Sequence, residues 1–231
     1  MKAVHPWVIL FDIDGTLLTV DRNFNRPLLR SIIEDLNIEY NEVMNVPFSG
    51  RTDHDILSSF LENHDFDEDL YLTLKNEYLK RLKEQITSQH VIRHPFIDET
   101  IAYFSGKGCI LGLLTGNFPE AADLKLSVAD ITLEYKIGAF GEYHRDRNML
   151  PQIALNKAEM ILDAIPNPRR FIIIGDTPRD VACAKSAGMR CVAVTTGKFS
   201  REELAEHAPD LIIDTMEHPE VWFKQLVGED I

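Results

Sequence analysis

Three cysteines in 231 residues are too few for a disulfide framework, and Cys109, Cys183 and Cys191 lie in or beside apolar segments with no paired spacing. They read as small buried hydrophobes of a reducing compartment, which excludes a zinc site of the paired-cysteine kind. Positive charge is also scarce. Only 24 lysines and arginines face 37 aspartates and glutamates, for a formal charge of −13. Such a chain repels phosphate backbones and anionic bilayers, so neither nucleic acid nor a membrane surface is an expected partner. No apolar run approaches the length of a membrane span. The opening, Met1-Lys2-Ala3-Val4-His5-Pro6, leads straight into an apolar segment and leaves no room for a signal peptide, so a cytoplasmic location is expected.

What remains is a chain of 45% hydrophobic residues, enough for one large domain or a domain with a smaller insertion. Short apolar runs alternate with helical patterns: Val8 to Phe11, Ile110 to Leu114, a weaker one near Lys136 to Phe140, Phe171 to Ile174, Cys191 to Val194 and Leu211 to Ile213. Alternation of this kind predicts an α/β fold, a parallel sheet with helices on both faces. Between Leu18 and about Gln89 no convincing strand occurs. Amphipathic repeats fill the segment instead, as in Leu28, Leu29, Ile32, Ile33 and Leu36, or Tyr71, Leu74, Tyr78 and Leu82.

Two of the strands end in paired carboxylates. The first runs into Asp12-Ile13-Asp14-Gly15-Thr16-Leu17, and Phe171 to Ile174 runs into Gly175-Asp176-Thr177-Pro178-Arg179-Asp180. Ligands of open α/β sheets sit beyond the carboxyl ends of strands, which places these acids where chemistry occurs. A buried carboxylate pair is costly without a cation, so the pattern implies a hard divalent ion, most simply Mg²⁺. A calcium loop of the EF-hand type is excluded because its sixth and twelfth positions hold Leu17 and Asn23. Thr177 reads as an N-cap with Pro178 as the first helical residue and Gly188 as the terminator. The acids from Glu62 to Asp69, with Asp65, Asp67 and Glu68 among them, read as a solvated face.

The hexapeptide from Asp12 to Leu17 resembles the first motif of the haloacid dehalogenase superfamily, in particular its phosphatase branch. Ile110 to Asn117, an apolar strand closed by Thr115-Gly116-Asn117, resembles its second motif, and Asp176 with Asp180 its fourth. The resemblance implies a Rossmann-like sheet of residues 1–17 and 90–231, with the Asp12 strand central and the Thr115 and Asp176 strands flanking it. It further implies that 18–89 is an inserted α-helical cap, with His90 to Pro95 as its return hinge. The family's third motif supplies a basic residue. Arg147, in a loop after the Lys136 to Phe140 strand, is preferred over Arg145 and Lys157. Phe48 to His54 resembles the specificity loop of phosphoglycolate-phosphatase-like members, where Arg51 grips an anionic part of the substrate; Thr52 or Asp53 capping a helix is the compatible plainer role.

The implied reaction is hydrolysis of a small phosphate monoester, with phosphoglycolate as one candidate, through an aspartyl-phosphate. Asp12 is the nucleophile and Asp14 the acid and then base. Thr115, Gly116 and Asn117 hold the phosphoryl oxygens. Asp12, Asp176, Asp180 and the backbone carbonyl of Asp14 hold Mg²⁺. A phosphonatase would require a cap lysine, and Lys75, Lys80 and Lys83 fall on a helix where a solvated face is expected. A sugar phosphomutase with the same motifs, or a catalytically silent binder of a phosphometabolite, is the alternative. The physiological substrate and the oligomeric state are open.

Overall fold

A computed structural model describes residues 5–39, 48–62 and 67–228. Asp65 and Met1 to Val4 lie outside the described residues. The strands are β1 (Val8–Phe11), β2 (Leu18–Val20), β3 (Val91–Arg93), β4 (Ile110–Thr115), β5 (Ile137–Phe140), β6 (Phe171–Gly175), β7 (Arg190–Val194) and β8 (Leu211–Ile213). The helices are α1 (Arg22–Asp35), α2 (Asp53–Ser59), α3 (Glu68–Gln85), α4 (Ile97–Gly106), α5 (Pro119–Val128), α6 (Leu150–Leu162), α7 (Pro178–Ser186), α8 (Arg201–Glu206) and α9 (Pro219–Val227).

Six strands form one parallel sheet in the order β5-β4-β1-β6-β7-β8. The four residues of β1 are apolar and fully buried because both faces of the sheet are covered. Side chains alternate between those faces. Ile9 and Phe11 join Leu111, Leu113, Ile172 and Ile174 against α4, α5 and α9. Val8 and Leu10 join Ile110, Leu114, Phe171 and Ile173 against α6, α7 and α8. Register matches Phe11 to Leu113 on one side and to Ile174 on the other, so β1, β4 and β6 end nearly level. The residues that follow them meet at one edge.

Helices α1, α2 and α3 carry a third apolar cluster that includes Leu29, Ile32, Leu57, Phe60, Leu74 and Leu82. It closes on Phe118 and Ala121 of the α5 region, so this layer sits on the helix that follows β4. Its connections to the sheet differ from expectation. Where the sequence showed no strand, Leu18–Val20 pairs antiparallel with Val91–Arg93, Leu18 opposite Arg93 and Val20 opposite Val91. Three residues carry too little periodicity to be read alone, and the partner lies some 70 positions away.

Asp67 caps α3, with Glu68 and Asp69 in its first turn, so part of the acidic run is helix-starting chemistry. Cys183 and Cys191 are buried and Cys109 is half-buried, all three as free thiols. Among the described residues no helix is long and apolar enough to cross a membrane.

Candidate active site at the carboxyl edge of the sheet

Asp12 follows β1 and keeps its register, its N–H donating to the Ile174 carbonyl at 2.9 Å. The chain then turns at Gly15, whose φ of +89° belongs to the left-handed region that glycine occupies at no steric cost. A Cβ there would lie 2.3 Å from Asp176 Oδ2. Gly197, after β7, approaches the same carboxylate so closely that a Cβ would fall 1.7 Å from it. Asp176 follows β6 and is thus walled by backbone on two sides.

Asp180 stands in the first turn of α7. Its Oδ2 accepts from the Thr177 N–H at 3.0 Å and from Thr177 Oγ1 at 2.7 Å, a capping box with Thr177 as N-cap. Its Oδ1 accepts from Arg147 Nη2 at 2.5 Å. Arg147 opens a 3₁₀ turn after β5 and is 4% exposed, with Nη2 also 3.2 Å from Asp12 Oδ1. Burial works against its charge, but Asp12 and Asp180 hold the guanidinium protonated, its pKa above the ordinary arginine value.

Carboxylate oxygens of Asp12, Asp176 and Asp180 all lie within 4.8 Å of one another, and all three residues are buried. Burial pushes the Asp12 carboxyl up to about 6, with Asp180 and Asp14 adding to the rise and Arg147 opposing it. Asp176 is raised well above the usual range by burial first, then by Asp180 and Asp12. If all three were ionised, one guanidinium would leave a buried excess of negative charge, which adds to burial in raising the Asp12 and Asp176 carboxyls. An all-oxygen donor set of this kind fits a hard divalent cation.

Thr115 ends β4 fully buried. Asn117 Nδ2 donates to Thr115 Oγ1 at 2.8 Å and to Asp14 Oδ2 at 2.8 Å. The Asn117 N–H lies 3.4 Å from Thr115 Oγ1. Gly116 has no room for a side chain, since a Cβ would sit 2.0 Å from the Arg51 carbonyl oxygen. Its own carbonyl accepts from the Asp53 N–H at 2.6 Å, which docks the start of α2 on the sheet edge.

Arg51 lines the cavity but is not solvated, its Nε standing 2.5 Å from Asp55 Oδ2. Thr52 is the N-cap of α2, accepting from the Asp55 N–H. The two other basic candidates lie elsewhere. Arg145 pairs with Asp55 at 3.2 Å and Glu62 at 2.5 Å, and the exposed Lys157 donates to the Gly138 carbonyl at 2.5 Å. Lys75 also departs from expectation, because it is paired with Glu142 at 2.9 Å and lies over the Phe118 ring rather than facing solvent.

One functional-site residue escaped the sequence reading. Lys125 of α5 is 2% exposed, with Nζ 2.7 Å from Asp14 Oδ2 and 2.5 Å from Asn117 Oδ1. The signal was present: Lys125 falls four residues after Ala121 and beside Leu126, on the buried face of the helix.

These side chains surround a cavity of about 620 Å³ between the sheet edge and the helical layer. Asp12, Asp14, Thr115, Arg147 and Asp176 form its floor, and Arg22, Arg26, Arg51 and Lys198 also line it.

Residues 150–218 match the family model described as HAD-hydrolase-like. The chain is 26% identical over 224 residues to the pyrophosphatase PpaX of Bacillus cereus (strain Q1), covering 90% of this chain and 92% of that one. It superposes on a β-phosphoglucomutase of Clostridium difficile with a TM-score of 0.68 at 18% identity, covering 96% of each chain. A predicted phosphoglycolate phosphatase from Haemophilus somnus 129PT gives 0.63 at 20% identity, covering 91% of this chain and 94% of that one. With paired acids closing β1 and β6, a threonine closing β4 and a helical layer over all three, the chain has the fold of these structures and is similar to haloacid-dehalogenase-like hydrolases in sequence.

Proposed function

We propose that the protein is a Mg²⁺-dependent phosphatase that hydrolyses a small phosphate monoester through an aspartyl-phosphate on Asp12. The observation that carries this reading is the buried trio of Asp12, Asp176 and Asp180 opposed by the Arg147 guanidinium, with Asp12, Asp176 and Arg147 lining the cavity. Asp12, Asp176, Asp180 and the backbone carbonyl of Asp14 are the residues that would hold Mg²⁺. When bound, the ion offsets carboxylate repulsion of an incoming phosphate dianion and withdraws charge from its oxygens.

The chain's own groups account for the remaining steps. An Asp12 carboxylate oxygen forms a bond to phosphorus as the ester oxygen departs, and Asp14 gives that oxygen its proton. A water then attacks the phosphorus, losing its proton to Asp14, and the bond to Asp12 breaks. Thr115 Oγ1 and the Gly116 N–H are the donors for the phosphoryl oxygens. Arg147 Nε is buried with no acceptor among the described residues, which suits a donor reserved for the same group. Helices α1 to α3 act as a cap, limiting bulk water over the phosphorus.

Arg51, Arg22, Arg26 and Lys198 around the cavity support a substrate whose remainder is also anionic, as in phosphoglycolate or pyrophosphate. A mutase reading draws on the likeness to β-phosphoglucomutase and differs in one respect, the survival of the phosphorylated Asp12. Inorganic phosphate release from a panel of small phosphoesters, with and without Mg²⁺, separates the two. The expected outcome is metal-dependent release that disappears in Asp12→Asn; absence of release from every member, with a sugar phosphate isomerised instead, would move the assignment to a mutase.

A further inference from the structure

We infer that Lys125 is a positioning residue for the proton transfers of the reaction, holding the Asp14 carboxylate in the one orientation that serves the leaving group. This rests on the proposed phosphatase reading, in which Asp14 is the acid and base.

The geometry starts from a cost. A lysine on an apolar helix face brings a buried ammonium that must be paired, whereas leucine or methionine among Ala121, Ala122 and Leu126 would pack without one. Lys125 meets that cost with two acceptors, Asp14 Oδ2 at 2.7 Å and Asn117 Oδ1 at 2.5 Å. The third side of the triangle is Asn117 Nδ2 to Asp14 Oδ2 at 2.8 Å. The ammonium fixes which end of the amide faces it, since only Oδ1 can accept, and Nδ2 is thereby turned toward Asp14 and Thr115.

Asp14 needs such a clamp. It follows the strand end on a turning segment, and its side chain is 39% exposed, with Lys125 Nζ and Asn117 Nδ2 as the donors that hold it. Both donors bind the same oxygen, Oδ2, leaving Oδ1 as the atom that carries the proton to the ester oxygen and takes one from the attacking water. Lys125 itself touches no reacting atom. Asn117 also joins this clamp to Thr115 Oγ1, so the proton donor and the phosphoryl-binding hydroxyl are placed by one network.

The test compares esters that differ only in their need for a proton. An alkyl phosphate hydrolysed by the parent requires one on its departing oxygen, while 2,4-dinitrophenyl phosphate releases a stable phenolate without it. Lys125→Met is expected to lower kcat/KM, which reads only the steps through departure of the ester oxygen and not the later attack of water common to both esters, by about 100-fold or more on the alkyl ester, the usual scale of general acid catalysis, and by less than about fivefold on the aryl ester. Taking the ratio on one sample cancels any difference in folded fraction. If Lys125→Met yields no folded protein, Lys125→Arg keeps the charge with displaced geometry and is expected to shift the same ratio in the same direction. The double variant Lys125→Met/Asp14→Asn is expected to be no slower on the alkyl ester than Asp14→Asn alone. Equal losses on both esters, or additive losses in the double variant, would overturn the inference and leave the phosphatase standing. A parent that hydrolyses neither ester would remove the proposed function and this role with it.

Discussion

Asp176 illustrates how a residue is placed by its neighbours' lack of side chains. Gly15 and Gly197 bring bare backbone against its carboxylate, and no larger residue fits at either position without moving it. Gly197→Ala is accordingly expected to keep the far-ultraviolet circular dichroism of the parent yet lose about 100-fold in Mg²⁺-dependent turnover, the usual penalty for misplacing a reacting group by roughly an ångström. Unchanged turnover would show that the carboxylate tolerates displacement. Asp12 and Asp176 were legible in the sequence because each ends an uninterrupted apolar strand. Gly197 was not, since its partner lies some 20 positions away and the contact exists only once β6 and β7 pair. Lys125 was missed for another reason: a single lysine on a helix reads as solvated unless the apolar residues four before and one after it are weighed first.

Helix α2 shows what an element adds to its residues. Thr52 caps it, and the N–H groups of Asp53 and His54 donate to the carbonyls of Gly116 and Gly141, so its first turn is bonded to the sheet edge rather than left open. The Asp53 carboxylate accepts from the Phe118 N–H at 2.8 Å. Burial lifts its carboxyl from 3.8 to about 6, opposed by Lys125 and by that N–H. Between those two values the folded protein holds a proton that the unfolded chain has released, so this group's contribution is present at low pH and fades as pH rises through about 6. Asp53→Asn has no such proton to lose. The melting temperature of the variant minus that of the parent is expected to be larger at about pH 7.5 than at about pH 4.5, by a few degrees; a difference independent of pH would sink the assignment. The helical periodicity of α1 and α3 could be read from spacing alone, because leucines and isoleucines recur at three and four. The pairing of β2 with β3 could not, as six residues in two distant pieces show no period.

For the molecule as a whole, the parallel sheet follows from alternating apolar runs, and the central place of β1 from its two apolar faces together with the family resemblance. How the helical layer meets the sheet was beyond the sequence, because beside the apolar contact with Phe118 and Ala121 that interface uses backbone carbonyls, two glycines and ion pairs such as Lys75 with Glu142. The same interface makes the cavity floor part of the fold's energetics. Mg²⁺ and orthophosphate added together are expected to raise the melting temperature more than the sum of their separate effects, since each offsets the charge that opposes the other; strictly additive shifts in a thermal scan would place them at separate sites.

The short ribbon of β2 and β3 has a bearing on the helical segment that it brackets. Leu18 stands directly opposite Arg93 in it, so the two ends of the helical segment lie one strand spacing apart. That spacing is held by the ribbon's own pairing, while the segment between its strands reaches the sheet edge separately, through the Asp53 and His54 N–H groups on Gly116 and Gly141. Change confined to the segment between the two strands would thus alter the wall of the cavity and leave the pairing that spans its ends in place.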